Sequence, residues 1–401
     1  MSGPRLAYLL LWFPEPSQTF VLDEVNTLVR LGLDVRVYTL YGPRPASAVA
    51  GMDRVGAPVR RLGIAALPLL LRDLLHLSRA SGPGAAAFLR QVTVRRWRSL
   101  ETAGEALWAA LAGVHLAGVL AAEAIAHIHA PWANGPATAA WVASRLSGIP
   151  FSFSGRAHDL YPPDGALQEK MAAAAFIRTN TQANQRYLTN FCPELAAKVV
   201  NIYNGVSLAP PAAPRSAPYP PYHLLAVGRL VPKKGFHILL QACRLLSEAG
   251  LDFHLTLAGD GPEYGRIRKL IERLHLAGRV SLPGAVPHRE VARLMAGADL
   301  LVMPSLIAPS GDRDGIPNVI LEAMLCEVPV VASAVSGIPE VIRAGDTGWL
   351  VEPANPAALA QAVTATLADP GDARRRAHNG RQFITRNFDS GKNYAKLKAL
   401  F

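Results

Sequence analysis

The chain has 401 residues, half of them hydrophobic, and its 41 Lys and Arg against 30 Asp and Glu give a formal net charge of +11. That length exceeds the usual limit for one core, so two domains of about 200 residues each are expected. Three cysteines, at 192, 243 and 326, are odd in number, far apart and without metal-ligand spacing, which points to free thiols in a reducing compartment and to no structural zinc.

The run from Arg5 to Trp12 is apolar and of strand length, and Pro14 and Pro16 follow it too closely for a signal peptide, so the chain is expected to stay in the cytoplasm. Thr19 to Leu31 has helical spacing before Gly32, and Asp34 to Tyr41 alternates as a strand, completing a βαβ unit. The connecting loop, FPEPSQTF, sets Ser17 and Thr19 at a helix N-cap, where hydroxyls and free amides suit an acceptor or a phosphate. Residues 42–124 break this rhythm and read as a mostly helical insertion, interrupted by SGPG at 81–84. Within it, Arg54 to Arg98 holds nine Arg against the single acid Asp73. Their alternation with Leu-rich segments resembles helices lying on an anionic membrane surface more than an arm for nucleic acid, which would be poorer in Leu; solvated helix faces covering the core are the alternative. No apolar run is both long and uncharged enough to read as a clear bilayer span. The nearest, 106–122, is rich in Ala, includes His115 and reads as a buried or surface-lying helix.

Ile125 to Ala130 returns to a strand, followed by a helix at Ala137 to Leu146. His127 and His129 share one face of that strand, and His129 lies at its C-terminal end, where open parallel sheets bind ligands, so it is expected to face a cleft. The strand Pro150 to Ser154 leads into GRAHDLYPPD, which groups Arg156, His158 and Asp159. A guanidinium only donates and stays charged, so Arg156 suggests an anionic contact or a different acceptor. Strands at 175–179 and 198–202, around a helix at 181–191, close the first domain near Gly205.

Six prolines in the twelve residues 210–221 form a stiff linker (206–221) in which neither helix nor sheet can propagate. The second domain (222–385) opens with YHLLAVGRLVPKKGF: a strand, Gly228-Arg229, then Lys233-Lys234-Gly235 at the start of a helix. Glycine admits a close backbone approach, and two cations about five residues apart can clasp a diphosphate. This is not G-x-G-x-x-G, which removes the main support for a nicotinamide cofactor. Further strands are expected at 255–259, running into the turn Gly259-Asp260-Gly261-Pro262 and a helix at 263–274, then at 280–284, 298–304 and 328–333. The last segment, 381–401, reads as helical and is expected to cross back onto the first domain, from about residue 386.

The organising stretch is Asp312 to Glu327, DRDGIPNVILEAMLCE: two carboxylates, Gly315, Ile316, Pro317 and Asn318, then an apolar helical run. Pro317 fits a first helical position. The helix N-terminus offers free amides and partial positive charge to a phosphate, with Asp314 just before it and Glu322 about 1.5 turns inside. One carboxylate is placed to accept from hexose hydroxyls and the other from ribose hydroxyls. The D-x-D of Asp312 and Asp314 keeps a metal-dependent variant open.

These motifs resemble the retaining GT-B glycosyltransferases of the large family four, and the Pro16-Ser17-Gln18-Thr19-Phe20 loop resembles those of colanic-acid-type polysaccharide enzymes. The resemblance implies two Rossmann-like doubly wound α/β domains facing a cleft, and sugar transfer from a nucleotide sugar to a lipid-linked or saccharide acceptor in exopolysaccharide assembly. No metal or other cofactor is implied. By the same resemblance Arg229 and Lys234 bind the donor diphosphate, Asp314 the sugar and Glu322 the ribose, Gly228, Gly259 and Gly261 line the nucleotide, and His129 approaches the transferred sugar. Asp314 stands where the family has Glu, and Arg156 where it has His. A peripheral location at the inner face of the cell membrane follows from the acceptor and the basic segment. A sugar-nucleotide epimerase of the same architecture and a non-catalytic nucleotide-sugar-binding subunit are the alternatives.

Overall fold

A computed structural model describes residues 4–15, 18–45, 49, 54–80, 83–95, 97, 99–161, 163–206 and 218–401. The chain divides into two compact units, 1–205 together with 390–401, and 206–389.

The first unit runs β1 (Arg5–Leu10), α1 (Thr19–Arg30), β2 (Asp34–Thr39), β3 (Val59–Arg61), α2 (Leu67–Ala80), α3 (Pro83–Thr93), α4 (Leu100–Ala122), β4 (His127–Ala130), α5 (Gly135–Ser147), β5 (Phe151–Gly155), α6 (Leu167–Ala173), β6 (Ile177–Thr179), α7 (Gln182–Phe191) and β7 (Val199–Asn201). Its seven strands are ordered β3-β2-β1-β4-β5-β6-β7, and every paired neighbour is parallel. β1 is apolar on both faces because a central parallel strand is covered on both. Ala7 and Leu9 pack with α4 and α5, whereas Leu6, Tyr8 and Leu10 pack with α1.

The 42–124 segment is less purely helical than its sequence indicates: β3 adds an edge strand, with Val59 opposite Val37. Three amino acids with two Arg among them carry too little periodicity to be read as a strand alone. α4 is long and apolar enough to cross a membrane by length and composition, but half of its most apolar stretch is buried within this unit. It crosses α5 so closely that a Cβ on Gly113 would lie 2.7 Å from Ala139 O.

The second unit runs β8 (Tyr222–Val227), α8 (Phe236–Glu248), β9 (Phe253–Ala258), α9 (Tyr264–Arg273), β10 (Val280–Gly284), α10 (His288–Gly297), β11 (Leu300–Met303), α11 (Asn318–Leu325), β12 (Val330–Ser333), α12 (Ile338–Val341), β13 (Trp349–Val351), α13 (Pro356–Ala368) and α14 (Pro370–Asn387). Its six parallel strands are ordered β10-β9-β8-β11-β12-β13, so the winding reverses between β8 and β11. In such sheets ligands bind outside the strand C-termini at that reversal.

The terminal segment is two helices rather than one. α14 ends at Asn387, Val206 N donates to Phe388 O at 2.8 Å, and α15 (Ser390–Lys398) then joins the first unit. There Tyr394 and Leu397 enter the core beside α1, and Lys398 Nζ donates to Leu31 O at 2.6 Å.

Candidate functional site

The loops leaving β8, β9 and β11 meet at the reversal of the second sheet. Gly228 N donates to Ala258 O at 3.0 Å, Leu230 N to Asp260 O at 2.9 Å and Glu263 N to Leu230 O at 3.0 Å. Gly259 and Gly261 have φ of 151° and 155°, and a Cβ on Gly259 would lie 1.9 Å from Gly228 O. Glycine is therefore required at 259 by backbone lying on backbone, whatever else this loop does. A Cβ on Gly235 would lie 2.0 Å from Pro304 O, and this contact seats the Lys233-Lys234 turn against the exit of β11.

That seating brings two ammoniums to two carboxylates. Lys234 Nζ is 2.9 Å from Asp314 Oδ2, and Lys233 Nζ is 3.0 Å from Asp312 Oδ1 and 3.9 Å from Asp314 Oδ1. Ser305 Oγ donates to Asp314 Oδ2 at 3.1 Å. Burial alone would raise the Asp314 carboxyl, but Lys234 and Lys233 outweigh it and hold it below its ordinary value. Lys234 also lies over Gly228, where a Cβ would approach its Cε within 3.3 Å. Arg229 is exposed, and its side chain has no hydrogen bond or ion pair among the described residues. Sequence reasoning missed Ser305 and the role of Lys233. A serine directly after an apolar strand, Met303-Pro304-Ser305, was the signal available for the first.

Asp314, Gly315 and Ile316 run straight into α11. Pro317 is its N-cap, with φ −61° and ψ 126°, and the helix begins at Asn318, one residue later than its sequence indicates. Proline's ring sets φ but leaves ψ extended here, so Pro317 contributes only its carbonyl to the first turn, accepting from Ile320 N at 3.0 Å. Among the described residues no side chain caps this end. Glu322 is half-buried one turn further in, about 6 Å along the axis from Asn318. Both acids of the D-x-D are turned onto lysines, so a divalent cation there would compete with two fixed positive charges.

The first unit places its expected site residues differently. His129 does not face a cleft: its ring is fully buried, Nδ1 shares a 2.8 Å hydrogen bond with Ser152 Oγ and Nε2 a 3.1 Å one with Ser154 Oγ. Burial pushes it well below its ordinary pKa despite Glu24, so it is a neutral core histidine beneath Tyr8, Phe176 and Phe401. The anionic contact of Arg156 is internal, to Glu24, and the guanidinium does not face an acceptor substrate. Its side chain is buried and donates to Glu24 Oε2 at 3.0 Å, Asn204 Oδ1 at 2.6 Å and Pro131 O at 2.9 Å. Glu24 also pairs with Arg178 and accepts from Tyr8 OH at 3.0 Å. Burial works against its charge, but Arg178 and Arg156 bring its carboxyl down to about 2. The signal for Glu24 was an acid within the apolar stripe Val21, Val25 and Leu28 of α1.

Asp159 is likewise structural. It accepts from the backbone amides of Ala133 at 2.7 Å, Arg156 at 3.0 Å and Ala157 at 2.9 Å, tying the loop after β5 to the loop after β4. His158 is exposed, with its ring 4.6 Å from that of Trp132. Thr19 is the exposed first residue of α1, and the N-cap is Gln18, whose Oε1 accepts from Trp132 Nε1 at 3.1 Å. Ser17 lies outside the described residues.

Residues 215–383 match the family described as glycosyl transferases group 1. WcaL of Escherichia coli strain K12, named for a glycosyltransferase role in colanic acid biosynthesis, is 41% identical over 152 residues, 38% of this chain and 37% of its own length. The amylovoran biosynthesis glycosyltransferase AmsK of Erwinia amylovora is 39% identical over 153 residues, again 38% of this chain and 37% of its own. The matched region thus spans little more than a third of these relatives. The structure of Anabaena HepE in complex with UDP-glucose superposes with a TM-score of 0.69 over 99% of this chain and 100% of its own, at 20% identity. Residues 215–383 are therefore a glycosyl transferases group 1 domain, in a chain whose two parallel-sheet α/β units have the GT-B fold.

Proposed function

We propose that this chain transfers a glycosyl group from a nucleotide sugar to an acceptor hydroxyl, with retention of anomeric configuration, and that its second unit holds the donor. The observation that carries this is the convergence of Lys234, Asp314 and Ser305 over Gly228, beside the side-chain-uncapped start of α11 and the unpaired Arg229. Arg229, Lys234 and the first amides of α11 would stabilise the departing diphosphate without a metal ion. The acceptor oxygen would attack the anomeric carbon on the face the diphosphate leaves, and its proton would pass to a phosphate oxygen of the leaving group. Asp314 Oδ2 is shared by Lys234 and Ser305, whereas among the described residues Oδ1 has only a 3.9 Å contact with Lys233 and would accept a sugar hydroxyl. Glu322 would take the ribose. HepE, whose structure contains UDP-glucose, makes a uridine donor the first to try, and WcaL and AmsK, named for polysaccharide biosynthesis, support exopolysaccharide assembly as the setting.

The test is turnover with a panel of UDP, GDP and ADP sugars, with and without EDTA, read as released nucleoside diphosphate and as anomeric configuration by NMR. Release from one donor, undiminished by EDTA, with retained configuration, is expected. Loss with EDTA that magnesium or manganese restores would move the reaction to the D-x-D, and an epimerised donor would exclude transfer.

Lipid-linked acceptors place such an enzyme at the cytoplasmic membrane face, and α2 offers a surface suited to it. Leu67, Leu71 and Leu75 are 36%, 45% and 56% exposed at helical spacing, with Ile64, 79% exposed, in the turn just before the helix and exposed Arg72 and Arg79 beside them. Arg95 is not part of this surface: its side chain is 13% exposed, paired with Glu169 at 2.9 Å and bonded to Gly165 O at 2.7 Å. Arg96 and Arg98 lie outside the described residues. The protein is expected to sediment with anionic vesicles at low salt and to be released near 0.5 M salt, where screening acts over about 3–5 Å. A Leu71→Glu, Leu75→Glu variant that sediments unchanged would remove α2 from this role.

A further inference from the structure

A polar pocket of about 110 Å³ opens in the first unit between the start of α4, the start of α5 and the loop after β5, and its lining includes Trp97, Glu105, Asn134, Thr138, His158 and Asp164. Most of its charges are already used. Asp164 pairs with Lys170 and accepts from Ala166 N at 2.9 Å, and Asp159, also in the lining, holds the three amides described above. Glu105 Oε1 accepts from Gly135 N at 2.8 Å, and a Cβ on Gly135 would lie 2.5 Å from that oxygen, so glycine lets the carboxylate reach the start of α5. Two acceptors remain. Glu105 Oε2 has no partner among the described residues, and Asn134 Oδ1 is buried without one, although Asn134 stands at the N-cap of α5.

The arrangement selects by charge. The positive end of α5 is taken up by the protein's own carboxylate, and three acids line the space, with Lys170 beside Asp164, so a phosphate would be repelled. Two free acceptors suit hydroxyl donors, and the Trp97 ring suits an apolar C–H face. The volume holds several waters, the scale of one sugar ring rather than an oligosaccharide.

We propose that this pocket binds one uncharged pyranosyl residue of the acceptor, with Glu105 and Asn134 accepting its hydroxyls and Trp97 covering its C–H face. The proposal rests on the glycosyl-transfer reading for the word acceptor, but its binding chemistry stands on these residues alone. It is tested by saturation-transfer NMR of the full chain with methyl glucopyranoside, galactopyranoside, mannopyranoside and fucopyranoside, and with the corresponding sugar 1-phosphates. At least one methyl pyranoside is expected to receive saturation, and its 1-phosphate less of the saturation that depends on Trp97. The signal should vanish in Trp97→Ala, and affinity should weaken about threefold or more in Asn134→Ala. An unchanged urea-unfolding profile shows that both variants fold, and nucleoside diphosphate binding, assigned to the second unit, is measured alongside. Absence of binding by all four methyl pyranosides, stronger binding of the phosphates that Trp97→Ala abolishes, or a pyranoside signal that survives Trp97→Ala would overturn the proposal. Pyranoside binding without any nucleotide binding would instead overturn the donor assignment and leave this pocket standing.

Discussion

Replacing Arg229 or Lys234 with Ala should lower kcat/KM for transfer by about 30- to 1000-fold each, the roughly 2–4 kcal/mol that one charge-stabilising group contributes at a transition state. The two substitutions differ in what else they disturb. Arg229 is exposed and its side chain is unpartnered among the described residues, so its loss should leave stability within about 0.5 kcal/mol of the native protein. Lys234 neutralises the buried Asp314, so its loss also lets burial push that carboxyl upward. A comparable fall in activity for both, with a fall in stability confined to Lys234→Ala, separates diphosphate stabilisation from a structural ion pair. Near-native turnover in Arg229→Ala would remove the anion-clasp reading of this loop.

The second large effect is on folding. Glu24→Gln leaves Arg156 and Arg178 buried with only neutral acceptors, and removal of one partner from a buried ion cluster costs about 3–5 kcal/mol. The pH dependence follows from the same carboxylate. Its folded value of about 2 lies below its ordinary 4.5, so its stabilisation is fully present above the ordinary value and is lost as pH falls from about 4.5 towards 2. Urea titrations of native and Glu24→Gln protein between pH 7 and pH 3 should therefore converge as the acid end is approached. A variant as stable as the native chain at pH 7 would show that Asn204, Tyr8 and the surrounding carbonyls suffice for the two guanidiniums.

The legibility of the sequence differs between the units for a physical reason. In the second unit the candidate site is built from short contiguous stretches whose chemistry is local: Gly228-Arg229, Lys233-Lys234-Gly235 and Asp314 to Glu322 each carry their charge and backbone freedom together. What could not be read was which group neutralises which, because the pairing of Lys233 with Asp312 and of Lys234 with Asp314 depends on Gly235 lying on Pro304. In the first unit the partners are far apart in sequence. Arg156 meets Glu24 and Asn204, and Glu105 meets Gly135, through tertiary packing alone, so Arg156 and Asp159 look like ligand-facing polar residues until their internal partners are known. His129 fails for a related reason: position at a strand end was legible, but the two serines of β5 that satisfy its ring were not. The unbroken apolar run of β1 marked it as a strand, whereas β3 was too short to announce itself.

In the proposed reaction Lys234 and its neighbours in the second unit recognise the diphosphate of a nucleotide sugar. Calorimetric titration with UDP, GDP and ADP against UMP, GMP and AMP tests it without knowledge of sugar or acceptor. One diphosphate should bind at least about tenfold more tightly than its monophosphate, a gap of roughly 1.4 kcal/mol, and Lys234→Ala should close most of it. Equal affinity for the two, or a gap that Lys234→Ala leaves intact, would contradict the assignment.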